Sequence, residues 1–196
     1  MKNVSRAVAL VAATALSAAG LVGTATTSAN AAVAAQAPVV TSYTCAVPGF
    51  IEFALPVSVS TALPATVKAG KSVPAKAVKY QVTVPAAVVG TAAALLGATA
   101  LGGDLAGDAT AGKTTIGLTG KLAPAEIVDP AADLVLTGKG KTKAFKIAKA
   151  GSYVVKAPKT LSFTPVDQTG KAFIGAISCS LTPGAASKLA TIKVTK

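Results

Sequence analysis

Short segments in which apolar and polar residues alternate recur from residue 39 to the end of the chain. The clearest alternation spans residues 57–63, and every second residue of 78–84 is a valine or a tyrosine. A period of two residues is typical of a strand with one buried face. The remaining predicted strands cover residues 39–45, 50–55, 114–118, 133–137, 145–147, 153–155, 161–163, 173–181 and 190–194.

The middle of the chain has a different pattern. Residues 86–96 are rich in Ala, Val and Leu, with Pro85 before them and Gly97 after them. Proline at the first turn and glycine just past the end are typical of helix termini, so we predict a short helix at about 86–96. The uncharged run around it is dominated by Ala, Gly and Thr, which favours a helix over the open end of a sheet rather than a membrane span.

Glycine-rich segments separate the predicted strands. Residues 101–113 are rich in Gly and Asp and are predicted as a loop, 121–133 as a proline-bearing connection, and 137–143 as a basic turn. Strands at short spacing with Gly and Pro turns are typical of an antiparallel β-sandwich. We therefore expect one mainly β domain over residues 39–196, preceded by a flexible lead at 32–38.

The N-terminus predicts export. Lys2 and Arg6 precede an uncharged apolar stretch at 7–23, and residues 28–31 read Ser-Ala-Asn-Ala, an A-x-A cleavage site. Residues 1–31 are interpreted as a signal peptide cleaved after Ala31. The mature protein would then be secreted, or associated with the cell surface, without a transmembrane anchor.

Two cysteines remain in the exported part. Cys45 and Cys179 each end a strand-like run and are each followed within four or five residues by Pro-Gly. In an exported chain such a pair favours a disulfide over a metal or redox site. We predict a Cys45–Cys179 bridge with Cα atoms about 4.4–6.8 Å apart.

The charge is strongly positive. The chain carries +12, or +10 once Lys2 and Arg6 are removed, and every positive side chain after residue 31 is a lysine. These dispersed lysines suggest attraction to an anionic cell-wall or surface polymer. The lack of arginine and the few aromatic residues argue against nucleic acid recognition. The lysines considered are Lys68, Lys71, Lys76, Lys79, Lys139, Lys141, Lys143, Lys146 and Lys149.

Candidate catalytic patterns lack essential parts. The absence of histidine removes histidine-based triads and metal ligands. Residues 107–114 match G-x-x-x-x-G-K-T, but the segment after them is strand-like rather than helical, so a phosphate-binding loop is not expected. Two aspartate pairs, Asp104 with Asp108 and Asp129 with Asp133, are interpreted as turn and cap residues. We therefore expect no catalytic residues, cofactor or metal.

Several short motifs occur together over roughly residues 43–194. They are Tyr43-Thr44-Cys45, Pro48-Gly49, residues 63–67 with Gly70, Leu96-Gly97-Ala98, residues 179–184 (Cys-Ser-Leu-Thr-Pro-Gly) and residues 189–194. In these motifs the chain resembles a domain-of-unknown-function family of secreted proteins from high-GC Gram-positive bacteria. The resemblance implies an immunoglobulin-like β-sandwich and an extracellular location.

The functional expectation is correspondingly general. We expect a secreted, non-catalytic module that contacts a protein partner, the cell surface or the cell wall. The alternative is a carrier that holds a small apolar ligand or lipid in a pocket under the helix at 86–96. An apolar cavity with few polar groups would favour the carrier, whereas a closed core would favour the contact module.

Overall fold

A computed structural model of the protein describes residues 37–47, 49 and 51–196. These residues belong to one compact unit. The predicted signal peptide at 1–31 and most of the predicted lead at 32–38 lie outside the described residues.

The described part of the chain forms thirteen strands and one helix. The strands are β1 (Val39–Val47), β2 (Ile51–Thr61), β3 (Thr66–Lys68), β4 (Ser72–Val73), β5 (Ala77–Val84), β6 (Ala100–Ala111), β7 (Thr114–Glu126), β8 (Leu134–Thr142), β9 (Phe145–Lys146), β10 (Gly151–Lys156), β11 (Thr160–Val166), β12 (Ile177–Leu181) and β13 (Lys188–Thr195). The helix, α1 (Ala86–Leu96), has the predicted bounds.

Eight antiparallel strands close into a barrel. Their order is β11–β12–β1–β2–β5–β8–β7–β6, and β6 then pairs with β11. The predicted immunoglobulin-like sandwich is therefore wrong. Strands with alternating polarity, joined by short turns, occur in both sandwiches and barrels. What distinguishes the barrel is the pairing of β6 with β11, which leaves the ring without a free edge and which the alternation does not reveal.

Two smaller additions extend the barrel. The last residues of β6 pair with β10, which pairs with β13, and β13 pairs in parallel with β3. β4 and β9 form a separate two-stranded sheet. The segment around Gly70, between β3 and β4, thus connects strands that belong to different sheets.

The predicted loop at 101–113 and the predicted basic turn at 137–143 are both wrong, because these residues form most of β6 and β8. Their glycines lie where neighbouring strands come very close. A Cβ on Gly103 would overlap the ring of Phe163, and Cβ atoms on Gly138 and Gly140 would overlap backbone atoms of β7. Glycine is needed here for close approach, so the composition typical of a loop is in fact part of the barrel wall.

The barrel interior is filled by alternate side chains of the ring strands. Tyr80 on β5 lies over Gly120 on β7, where a Cβ would overlap its ring. The core therefore depends on a large aromatic side chain that occupies space left by a glycine. The largest fully buried side chains are Tyr43, Phe163, Leu55, Leu101, Ile116, Leu122, Leu136, Ile192, Val57, Val78, Val82 and Val84.

The structure contains the predicted disulfide. Cys45 on β1 and Cys179 on β12 lie directly opposite each other, are both fully buried, and are 134 positions apart in the sequence. Their Cα atoms are 4.0 Å apart, slightly closer than the predicted range. The bond thus ties the first strand of the barrel to its last.

Candidate functional site

Helix α1 lies at one end of the barrel, and its two termini are closed in different ways. The first amide, Ala86 N, donates to Asp133 Oδ1 at 2.9 Å, which places a carboxylate at the positive end of the helix. Gly97 ends the helix with a left-handed φ of 63°, and Ala98 N donates to Ala92 O at 3.1 Å. The start of the helix is thus held by a side chain from outside it, and its end is closed by its own backbone, although the helix carries no charged side chain.

A pocket lies between α1 and this end of the barrel. Its wall combines one face of the helix with the end of β1, the start of β2, the start of β6, the end of β11, the following loop and the start of β12. The described lining residues are Val47, Ile51, Phe53, Val88, Thr91, Ala92, Leu95, Leu96, Leu101, Phe163, Pro165, Phe173, Ile174 and Ile177.

The lining offers a ligand almost no polar group. Thr91 is the single residue with a polar side chain among the described lining residues, and its hydroxyl already donates to Ala87 O at 2.7 Å. A water molecule needs two to four polar partners to be held in a cavity. The pocket therefore favours an apolar occupant over ordered water.

The size of the pocket limits what it can hold. Its volume is about 120 Å³. An apolar cavity of roughly 150 Å³ holds a benzene molecule, whereas pockets for drug-sized ligands span about 300–1,000 Å³. The pocket suits a small apolar group, or the end of a longer chain, but not a whole lipid.

The mouth of the pocket is marked by two exposed leucines at the end of α1. Leu95 is 67% exposed and Leu96 is 46% exposed, and both also line the pocket. Isolated exposed leucines are common, but two in succession at the rim of an apolar pocket extend its apolar surface toward solvent. They would contact the part of a ligand that protrudes from the pocket.

The sequence suggested a pocket under the helix as an alternative but did not indicate which strand residues line it. Leu101, Phe163 and Ile177 lie on three different strands and read as ordinary core residues. The available signal was the pair Leu95-Leu96 directly before Gly97, which ends a helix that has no charged face.

The interpretation as turn and cap residues is confirmed for Asp129 and Asp133 and is wrong for Asp104 and Asp108, which lie within strand β6. Asp133 accepts a hydrogen bond from the first amide of α1, and Asp129 Oδ1 accepts from Ala131 N at 2.8 Å. Asp104 and Asp108 are both exposed, four residues apart along β6. Among the described residues, no three His, Cys, Asp or Glu side chains are placed to hold a metal ion.

The G-x-x-x-x-G-K-T match forms a hairpin. Gly107 to Ala111 lie in β6, Gly112 makes the turn with φ 59°, and Thr114 begins β7. A phosphate-binding loop needs a helix N-terminus after the lysine, and here a strand follows. The match is therefore a turn sequence.

Two buried tyrosines are held in the neutral form. Burial raises the pKa of Tyr80 to about 12. Burial, and to a smaller extent the nearby Tyr80, raises the pKa of Tyr43 well above its ordinary value, and the Tyr43 hydroxyl donates to Pro158 O at 3.1 Å. Both belong to the packed barrel interior rather than to the pocket lining.

One oxygen of the exposed Asp167 carboxylate accepts three hydrogen bonds within the loop after β11. Asp167 Oδ1 accepts from Thr169 Oγ1 at 2.6 Å and from the amides of Thr169 and Lys171. The Thr169 hydroxyl, followed by these backbone donors, lowers the pKa of the Asp167 carboxyl. The carboxylate orders the loop that leads from β11 to the pocket residues Phe173 and Ile174.

Comparison with known proteins identifies a family but no function. A family of unknown function, DUF6801, matches residues 42–190. No curated protein and no solved structure matches the chain. α1, the helix within the described part of the chain, falls short of what a membrane crossing would require.

Proposed function

Since this chain belongs to DUF6801, a family of unknown function, we propose its function from its own pocket: it is a non-catalytic protein that binds a small apolar group, or the end of an apolar chain, beneath α1. The observation that carries this proposal is the lining: among its described residues, the hydroxyl of Thr91 is the single polar side-chain group, and it is already bonded.

Physical arguments support an apolar ligand. Each methylene transferred from water into such a pocket contributes about 0.8 kcal/mol, without a polar group having to be desolvated. Closed eight-stranded barrels are wide enough to hold one small ligand. Here the barrel interior is filled by side chains, so the available space lies at its end, under the helix.

The proposed setting is extracellular. Disulfides persist in oxidising compartments and are rare in the cytosol, and the Cys45–Cys179 bridge is buried within the barrel wall. We propose that the protein is secreted and meets its ligand outside the cell. N-terminal sequencing of the exported protein should then begin near Ala32, and retention of Met1 would contradict the signal peptide.

A series of linear primary alcohols from butanol to dodecanol tests the binding proposal. These ligands are neutral, so the many lysines do not attract them. Affinity should rise about fourfold with each added methylene, which corresponds to ~0.8 kcal/mol, and should level off once the chain fills the pocket and reaches solvent. Calorimetry or methyl-detected NMR provides the dissociation constants. No binding at any chain length, or no dependence on chain length, would contradict the proposal.

A further inference from the structure

Three lysines lie side by side on the outside of the barrel. Lys79 on β5 is directly opposite Lys139 on β8, and Lys139 is directly opposite Lys121 on β7. All three side chains are exposed. We call Lys79, Lys139 and Lys121 the lysine row.

This arrangement costs stability in the free protein. Like charges directly opposite each other on neighbouring strands are destabilising. Neighbouring strands lie about 4.8 Å apart, so the three positions fall within roughly one Debye length, ~8–10 Å, at ordinary salt. A bound anion that interacts with all three ammonium groups would offset the repulsion.

The lysine row lines an open groove. The other lining residues are uncharged: Tyr80, Ala123, Thr137 and Gly138. Lys141, two residues along β8, is also exposed and lies opposite Thr119 on β7. The nearest acid in register is Asp104 on β6, opposite Lys121 at the edge of the row. Positive charge therefore dominates the groove.

Most of the acidic residues lie at the end of the barrel that holds the apolar pocket, away from the lysine row. Glu52 follows the pocket residue Ile51, Glu126 pairs with Ala100 next to Leu101, and Asp133 caps α1. Asp129 precedes Pro130, whose carbonyl lies against Gly90 of α1, and Asp167 lies in the loop that leads to the lining residues Phe173 and Ile174. These are five of the seven acids, and with Lys171 in the same loop as Asp167 they leave the pocket end less positive than the groove.

We propose that the lysine row is a binding site for a linear polymer that carries phosphate groups. Lysine binds phosphate as a point charge and needs no fixed geometry. A groove that holds several charges in a line fits a chain better than a flat membrane. Three of the six large apolar residues that are exposed in the described part of the chain, Leu95, Leu96 and Val128, are on or next to the pocket end instead. On the strands of the lysine row, Val135 of β8 is the single exposed large apolar residue, too little to enter a membrane. The site is separate from the pocket, so the two proposals are independent.

Binding of long-chain polyphosphate to the exported protein tests this site. The triple variant Lys79→Gln, Lys121→Gln, Lys139→Gln should bind at least tenfold more weakly than the original protein at moderate salt. The slope of log affinity against log salt should become shallower by about three. The matched control is Lys113→Gln, Lys171→Gln, Lys193→Gln, which removes the same charge from exposed positions away from the row and should weaken binding less than threefold.

Three results would overturn the proposal. The first is that the original protein does not bind polyphosphate. The second is an equal loss in both triple variants, which would indicate diffuse attraction by net charge. The third is that the row variant loses binding to vesicles of anionic phospholipid but keeps its affinity for polyphosphate, which would indicate a membrane instead. An unchanged or raised unfolding midpoint of the row variant, together with an unchanged circular dichroism spectrum, verifies that the variant is folded.

Discussion

Gly103 on β6 lies directly against the ring of Phe163 on β11, so closely that a Cβ on Gly103 would overlap the ring. The two residues lie on the strands whose pairing closes the barrel, since Pro165 pairs with Gly103 and Phe163 with Leu105. Phe163 also lines the apolar pocket. Closure of the barrel and the shape of the pocket therefore depend on the same contact.

Replacing Gly103 with alanine should destabilise the protein. The added methyl group would force Phe163 or the backbone to move, and overpacking of this kind costs about 1–3 kcal/mol. Urea denaturation measures the change. Gly175→Ala is the control, because a Cβ on Gly175 meets no atom within 4 Å, and it should change the free energy of unfolding by less than about 0.5 kcal/mol. Equal free energies of unfolding for the two variants would contradict the close contact between Gly103 and Phe163.

Loss of the disulfide should destabilise the protein by about 2–5 kcal/mol, because the bridge closes a loop of 134 positions in the unfolded chain. Cys45→Ala and Cys179→Ala should each produce this loss. The double variant should be little less stable than either single one, since each single change already removes the bond. Denaturation with and without reductant measures the effect, and additive losses would argue against the bridge.

The buried tyrosines should make stability fall with alkaline pH. The pKa of Tyr80 is about 12 in the folded state and about 10 in the unfolded chain. Between these values the unfolded chain has lost a proton that the folded protein retains, so the free energy of unfolding decreases as pH rises. The stability that depends on a neutral Tyr80 is fully present below pH ~10. It is lost toward pH 12, and the free energy of unfolding falls by roughly 1.4 kcal/mol per pH unit.

Tyr80→Phe isolates this contribution from the titration of the lysines. The variant should show a shallower decline in stability between pH 10 and 12 than the original protein, measured by urea denaturation at each pH. Parallel declines would show that Tyr80 ionises equally readily in both states.

A charge at the pocket mouth should weaken apolar binding without affecting the fold. Leu95 is 67% exposed, so Leu95→Asp should lower the free energy of unfolding by no more than about 1 kcal/mol, mainly through the unfavourable anion in the last turn of α1. A carboxylate beside a protruding alkyl chain should nevertheless lower the affinity for octanol about tenfold, because binding would partly desolvate the charge. Val128→Asp, at a position that is 85% exposed and does not line the pocket, is the control and should bind octanol normally. Equal affinities in the two variants would place the alcohol elsewhere.

Local patterns predicted the local features correctly. Pro85 and Gly97 delimit α1 at the predicted residues, and Cys45 and Cys179 form the predicted bridge. The helix ends depend on the backbone preferences of proline and glycine, and the bridge depends on the presence of two cysteines. Both are visible in the sequence.

The barrel and its pocket depend on contacts between distant residues. The alternation Thr-Gly-Lys-Gly-Lys in β8 places glycines inward and lysines outward, but glycine at an inward position resembles a turn unless the neighbouring strand is known. For the same reason Gly102 and Gly103 in β6 suggested a loop, although they lie against Pro124 and Phe163. The lysine row likewise combines residues from three strands, and single-strand patterns cannot show their register.

The most direct test of apolar binding beneath α1 is to locate a bound alcohol by NMR. With methyl groups labelled and octanol added, intermolecular nuclear Overhauser effects should connect the alkyl chain to Val88, Leu101 and Ile177, which line the pocket. The methyl groups of Val155 and Val194, buried on β10 and β13 outside the eight-stranded ring, should show none. Effects confined to residues outside the pocket, or no effects at saturating octanol, would contradict the proposed function.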